Sequence, residues 1–299
     1  MTAIKIHNKL ERLIDSLIIT ENQKIYLRNK ANDLYNELKF LSQNRTSFWS
    51  TFYSSINGHQ YTLERFLYRG SFGRGIFIKN RFDIDIYIVY KVYPYGQNNL
   101  TGRQLFNILY SNLKAYQSNY RENMKILKNP PYGHVIPIRM DYQGISILFD
   151  CIPAIELTNG YLIIPDGIGG TKKLNLKLEE QAISKLNKKQ NGKITKLIIL
   201  IKYWNFNWGK SLKGYLIEQL VESIFDKIKV YSWDRAVKTF FNRAVYFMNK
   251  FMPLPDGVYN QFSILNEFSS NELNNFLDVF REAEIYAQKG KWEKLFSDL

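Results

Sequence analysis

Residues 69–90, RGSFGRGIFIKNRFDIDIYIVY, constrain this chain more than any other stretch. A turn at Gly70-Ser71 is followed, after eleven intervening residues, by Asp83-Ile84-Asp85 inside an apolar run. Successive side chains of a strand point to opposite faces, so residues two apart share a face. Phe82, Ile84, Ile86 and Ile88 are therefore expected on one side, and Asp83 with Asp85 on the other. Two carboxylates held side by side on a rigid strand repel each other unless a cation lies between them. Mg²⁺, a hard ion that takes oxygen ligands, answers that need. The glycine lets backbone approach a phosphate closely, and the serine adds a hydroxyl and an N–H. A solvated strand edge and an ordinary turn would account for either motif alone; it is their combination that points to chemistry.

A third acid lies downstream. In HVIPIRMDYQGISILFDCIPAIEL (134–157), Val135–Met140 reads as a strand, Asp141–Gly144 as a tight turn and Ile145–Ile152 as the returning strand. Asp150 falls in the apolar part of that return, where an unpartnered carboxylate is costly to bury. The alternative is a solvated or salt-bridged strand end.

Composition narrows the class. The chain has 299 residues, 45% of them hydrophobic, enough for one large or two medium domains with a real core. A single cysteine, Cys151, allows no disulfide within the chain and suits a reducing cytosol; three scattered histidines argue against zinc. Charged residues from Lys5 to Arg12 break up any leader-like start, and the aliphatic run Leu197–Ile201 falls far short of the ~20 residues a membrane span needs. A cytoplasmic, soluble, monomeric protein without a membrane partner is expected.

The net charge of +14 favours polyanionic partners, nucleoside triphosphates and nucleic acid among them. It concentrates at Lys172–Lys196, where Lys172, Lys173, Lys177, Lys185, Lys188, Lys189, Lys193 and Lys196 face only Glu179 and Glu180. This stretch reads as a solvated helix and loop, a surface for a regulatory nucleic acid, or a means of steering triphosphate.

Elsewhere, residues 4–43 read as helix with a break at a Thr20/Gln23 capping box, and Tyr61–Tyr68 as a short strand or helix. Ser47–Thr62 and Pro94–Asn99 read as irregular. Gly102–Lys128 reads as a helix stopped by Pro130-Pro131. After the glycines at 160, 167, 169 and 170 the pattern turns helical, over 193–206, 212–227, 233–249, 270–287 and 292–299. The expected architecture is mixed α/β (α+β): a sheet domain with an N-terminal helix over 1–165, then a helical domain over 166–299, with the ligand in the cleft between them.

Together these residues resemble the cGAS/DncV-like nucleotidyltransferases (CD-NTases), bacterial relatives of cyclic GMP–AMP synthase and oligoadenylate synthase. The resemblance spans most of the chain. Gly70-Ser71, Asp83-Ile84-Asp85 and Asp150-Cys151-Ile152-Pro153 look like the family's phosphate loop and three acids. LIILIKYW (197–204) and LKGYLIEQLV (212–221) look like two of its helices. The resemblance implies a polymerase-beta-like core and a cyclic dinucleotide synthase of antiphage signalling. Two Mg²⁺ ions, replaceable by Mn²⁺, would sit about 3.5–4 Å apart on Asp83, Asp85 and Asp150, and a separate effector would bind the product. It further implies that Ser71 contacts phosphate, that Lys202 reaches the triphosphate and that Tyr215 stacks on a base; the plainer alternatives are a snorkelling lysine and a core tyrosine.

Two departures stand out. Relatives often carry Ser where this chain has Gly214, so that phosphate contact is missing or comes from Ser211, and Gly167–Asn175 lacks the Trp and Pro expected of many relatives. The three acids also fit an RNA-tailing transferase, a nucleotide sensor without turnover, or nucleotidylation of an aminoglycoside or a toxin target.

Overall fold

The computed structural model describes residues 2–43, 60–79, 83–93, 101–119, 124–127, 135–142, 145–157, 160–209, 212–250 and 269–299. The expectations for Phe82, residues 47–59, Pro94–Asn99, Pro130-Pro131, the 143–144 turn tip and Ser211 lie outside these residues.

Ile84, Ile86, Ile88 and Val89 are all fully buried, which makes their strand the centre of the sheet. The described strands are β1 (Gln60–Arg69), β2 (Asp83–Tyr93), β3 (Met124–Ile126), β4 (Ile136–Tyr142), β5 (Ile145–Glu156), β6 (Tyr161–Pro165) and β7 (Thr171–Asn175). They form one mixed sheet in the order β1-β2-β5-β4-β3, with β6 pairing β5 and β7. β2 and β5 run parallel, and the other pairs are antiparallel. Ile147, Phe149 and Cys151 of β5 are fully buried on the face they share with Ile84 and Ile86. Burying such side chains contributes about 1.5–3 kcal/mol each.

Helix α1 (Ala3–Leu17) is followed by α2 (Glu21–Gln43). The break between them is the expected capping box: the Gln23 backbone N–H donates to Thr20 Oγ1 at 3.2 Å, and the Thr20 N–H to Gln23 Oε1 at 3.0 Å. After β1 comes one helical turn, α3 (Gly70–Gly73). Helix α4 (Gly102–Asn119) begins at a second such box, Thr101 with Gln104. Next come α5 (Leu176–Lys189), α6 (Lys193–Asn207), α7 (Gly214–Phe225), α8 (Trp233–Lys250), α9 (Ser270–Gln288) and the single turn α10 (Trp292–Leu295). None of the described helices is long and apolar enough to cross a membrane.

Three sequence expectations need correction. The helix expected over Gly102–Lys128 is described over Gly102–Asn119, and Met124–Ile126 pairs with β4 as a strand instead. The glycine-punctuated stretch after Leu157 is the β6–β7 hairpin, tied to α4 where the Arg103 N–H donates to the Gly169 carbonyl at 3.4 Å. The closing helix over 292–299 is reduced to α10.

By contacts the chain forms two units: residues 20–74 and 81–176 make one, residues 1–19, 75–80 and 177–299 the other. The division expected at 165/166 is thus drawn differently: residues 166–176 group with the sheet, and α1 and 75–80 with the helices. Ile76 and Ile78 join α1, α6, α7, α8 and α9 in one apolar cluster. Trp204 lies at its heart, fully buried, its ring edge-on to Phe241.

Candidate active site

Strand register brings the three acids together. In the parallel β2/β5 pair Asp85 stands directly opposite Asp150, and Asp83 lies two residues along β2 on the same face. Asp83 is exposed, whereas Asp85 and Asp150 are half-buried. Burial, and then the negative charge of Asp83, raises the Asp150 carboxyl above the ordinary carboxylate range.

The Gly-Ser turn folds tightly against this group. β1 runs antiparallel to β2 and sets Arg69 opposite Asp85, and the chain turns at once through Gly70 in the left-handed region, φ +57°. A β-carbon at Gly70 would meet Asp85 Oδ2 at 1.5 Å, and one at Gly73 would meet the Tyr68 carbonyl oxygen at 2.6 Å. Phe72 anchors the turn in the interior, while Ser71 stays partly exposed.

Arg69 was not singled out in the sequence. It is buried, and its guanidinium lies 5.7 Å from the centre of the Tyr87 ring, a residue on the same face of β2 as the acids. Its position just before the Gly-Ser pair and opposite the Asp-x-Asp strand was the available clue.

Oxygen donors on adjacent strands suit a hard divalent ion; burial first, and the Asp83 charge second, disfavour a bare Asp150 carboxylate, and a bound cation would offset both. In the conformation described, no group of three or more His, Cys, Asp or Glu side chains, among the described residues, stands in metal-holding geometry. The backbone register places the donors side by side.

The two residues assigned to nucleotide binding from the helical segments lie near each other on α6 and α7. Lys202 Nζ donates to Glu218 Oε1 at 2.6 Å, with side-chain exposures of 12% and 6%. Glu218 escaped the sequence reading, although an acid inside the apolar run LKGYLIEQLV was a usable signal. Tyr215 packs partly on the apolar cluster, and Lys213 Nζ lies 5.7 Å from the centre of its ring. At Gly214 a β-carbon would come within 3.5 Å of Lys202 Cε, an ordinary contact. Asn205, also unforeseen, fastens the approach to α7: its amide donates to the Leu212 carbonyl at 2.9 Å and accepts from the Leu212 N–H at 3.0 Å.

The lysine-rich stretch is partly committed to structure. Lys189 donates to the Asp226 carbonyl at 2.5 Å, Lys193 to the Val230 carbonyl at 3.0 Å and Lys196 to Asp15 Oδ1 at 3.1 Å. Lys173, Lys185 and Lys188 are exposed.

No protein-family model matches the chain. A probable cyclic nucleotide synthase of Bacillus cereus (strain VD146) is 36% identical over 83 residues, which make up 26% of this chain and only 25% of that protein. Among solved structures, CdnC of E. coli MS115-1 with ATP superposes with a TM-score of 0.70 at 16% identity, covering 97% of each chain. The same protein in its complex with HORMA-deltaN gives 0.69 over 96% of each. Vibrio cholerae DncV, a cyclic AMP-GMP synthase, in complex with the linear intermediate pppA(3′,5′)pG, gives 0.66 at 13% identity over 92% of this chain and 86% of that one. The mixed sheet and the helices that follow it are thus the nucleotidyltransferase fold of CdnC and DncV, and this chain has the CD-NTase fold.

Proposed function

We propose that the chain joins nucleoside triphosphates into a cyclic oligonucleotide, most simply a cyclic dinucleotide, with release of pyrophosphate. The observation that carries this reading is the Asp85–Asp150 register pair with the Gly70 turn packed against it. CdnC and DncV, whose fold it shares, are described with ATP and with a linear dinucleotide intermediate.

In this reading Gly70 and Ser71 receive the triphosphate, and Asp83, Asp85 and Asp150 hold Mg²⁺. Bound Mg²⁺ would neutralise phosphate charge and make the attacking hydroxyl more acidic. Asp150, opposite Asp85, is the proposed base that takes the hydroxyl proton as the new O–P bond forms at the α-phosphorus and the bond to pyrophosphate breaks. Lys202 donates to the triphosphate and Tyr215 offers a face to a base. A second round on the linear pppNpN closes the ring.

CdnC is described in complex with HORMA-deltaN. A regulatory partner, either a protein of that kind or a nucleic acid at the exposed lysines of 172–196, is part of the proposal, as is a downstream effector that binds the product.

The test is to incubate the protein with all four triphosphates and Mg²⁺ and analyse the products by mass spectrometry after phosphatase treatment. A phosphatase-resistant cyclic product supports the reading. Lengthening of added RNA without such a product would transfer the chain to the tailing enzymes.

A further inference from the structure

Lys202 is enclosed, and its ammonium sits 2.6 Å from a carboxylate that is itself nearly inaccessible. A lysine stem is flexible, and an ammonium is a point charge that takes whatever direction its surroundings impose. A lone ammonium at such depth is costly, and a paired one is fixed. The ammonium has three donors, so one bond to Glu218 leaves two for another acceptor. The partner helix is itself held in place: Asn205, three residues beyond Lys202 on α6, grips the Leu212 backbone with both ends of its amide just before α7 starts. α6 and α7 are therefore cross-linked twice, once at the entry to α7 and once a turn inside it. A β-carbon at Gly214, the first residue of α7, would lie 3.5 Å from Lys202 Cε, an ordinary contact.

We infer that Glu218 is a positioning residue that aims the Lys202 ammonium at the triphosphate, with Asn205 holding the α7 end against which it is aimed. The inference rests on the proposed role of Lys202 as triphosphate donor. It has a sign that separates it from a simpler role. If Glu218 only neutralised the lysine, removing its charge would leave a stronger cation and tighter triphosphate binding. If it aims the lysine, the same change weakens binding.

The experiment uses the full chain and measures binding of each of four non-hydrolysable triphosphate analogues by calorimetry, pyrophosphate release for KM and kcat, and the melting temperature. Glu218→Gln is expected to weaken binding and raise KM roughly tenfold, the size of a lost charge-assisted hydrogen bond, with kcat changed far less. Glu218→Asp, which keeps the charge but shortens the reach, is expected to weaken binding too. Lys202→Met should weaken binding at least as much, and adding Glu218→Gln to it should change binding no further. Unchanged or tighter binding in Glu218→Gln overturns the inference, as does a lower melting temperature with binding intact. Normal binding by Lys202→Met also overturns it, through its premise, and leaves the synthase reading standing if pyrophosphate is still released. Conversely, if the wild type releases no pyrophosphate from any triphosphate but the binding data show the Lys202–Glu218 coupling, the synthase reading fails and the inference holds.

Discussion

Gly70 and Asp85 occupy space that only a glycine permits: a β-carbon at residue 70 would lie 1.5 Å from Asp85 Oδ2, and the backbone there has φ +57°. The turn and the second acid of the Asp-x-Asp strand are thus one interlocked feature. Gly70→Ala must displace the Asp85 carboxylate or the turn. The expected result is a loss of pyrophosphate release on the order of a hundredfold, as for a misplacement of about 1 Å. About 1–3 kcal/mol of stability should be lost with it, from left-handed strain and collision. Activity assays and thermal melts check both; near-normal activity would separate the turn from the chemistry.

Glu222 lies on α7 beyond Glu218, and burial, then Asp226, then Glu218 raise its carboxyl above the usual value. A carboxyl whose pKa is raised on folding favours the folded state below its unfolded pKa, and that contribution is lost as pH rises through the folded value. Glu222→Gln, which has no charge to gain, should therefore melt higher than the wild type at neutral pH by roughly 1–3 °C. The difference should shrink towards zero as pH falls below about 4.5, the ordinary value for Glu. Melting curves of both proteins across that range test it; a gap that widens in acid would contradict the assignment.

The resemblance leads to an expectation of serine at Gly214, where a β-carbon would meet only the end of the Lys202 side chain, at 3.5 Å. Gly214→Ser should fold with its melting temperature changed by no more than about 2 °C. Placing a hydroxyl beside the Lys202 ammonium should lower KM for triphosphate severalfold. Steady-state kinetics decide the matter, and a raised KM would place the phosphate elsewhere.

The exposed lysines differ in what they hold. Lys185, Lys188 and Lys189 are all exposed, but Lys189 also braces the fold by donating to the Asp226 carbonyl at 2.5 Å. Reversing the first two to Glu should abolish any salt-sensitive binding of RNA or DNA without lowering the melting temperature. Binding through a few phosphates falls steeply with added salt. A fluorescence titration at two salt concentrations checks this, and unaltered binding in the double variant would remove the nucleic-acid surface.

Much of the sheet was readable because its signals are local. Alternation around Asp83 and Asp85 marked β2, and the Thr20/Gln23 box marked the break between α1 and α2. The short β3 was not readable, since three residues carry no period and exist as a strand only through pairing with β4. The β6–β7 hairpin was hidden by glycines that look like plain punctuation; Gly160, Gly167 and Gly169 take φ of +79°, +94° and +110°, which the turns around the hairpin require. Within the candidate site, the type and spacing of the acids were legible. The Lys202–Glu218 pair was not, because its partners lie on different helices and meet only through packing.

The central claim is that Asp83, Asp85 and Asp150 act together on a triphosphate with a divalent ion. Pyrophosphate release with Mg²⁺, measured for the wild type and for Asp83→Asn, Asp85→Asn and Asp150→Asn, tests it most directly. Release by the wild type that stops when the ion is chelated, and a loss of at least about a hundredfold in each variant, is the expected result. Undiminished release from any one of the three would contradict it.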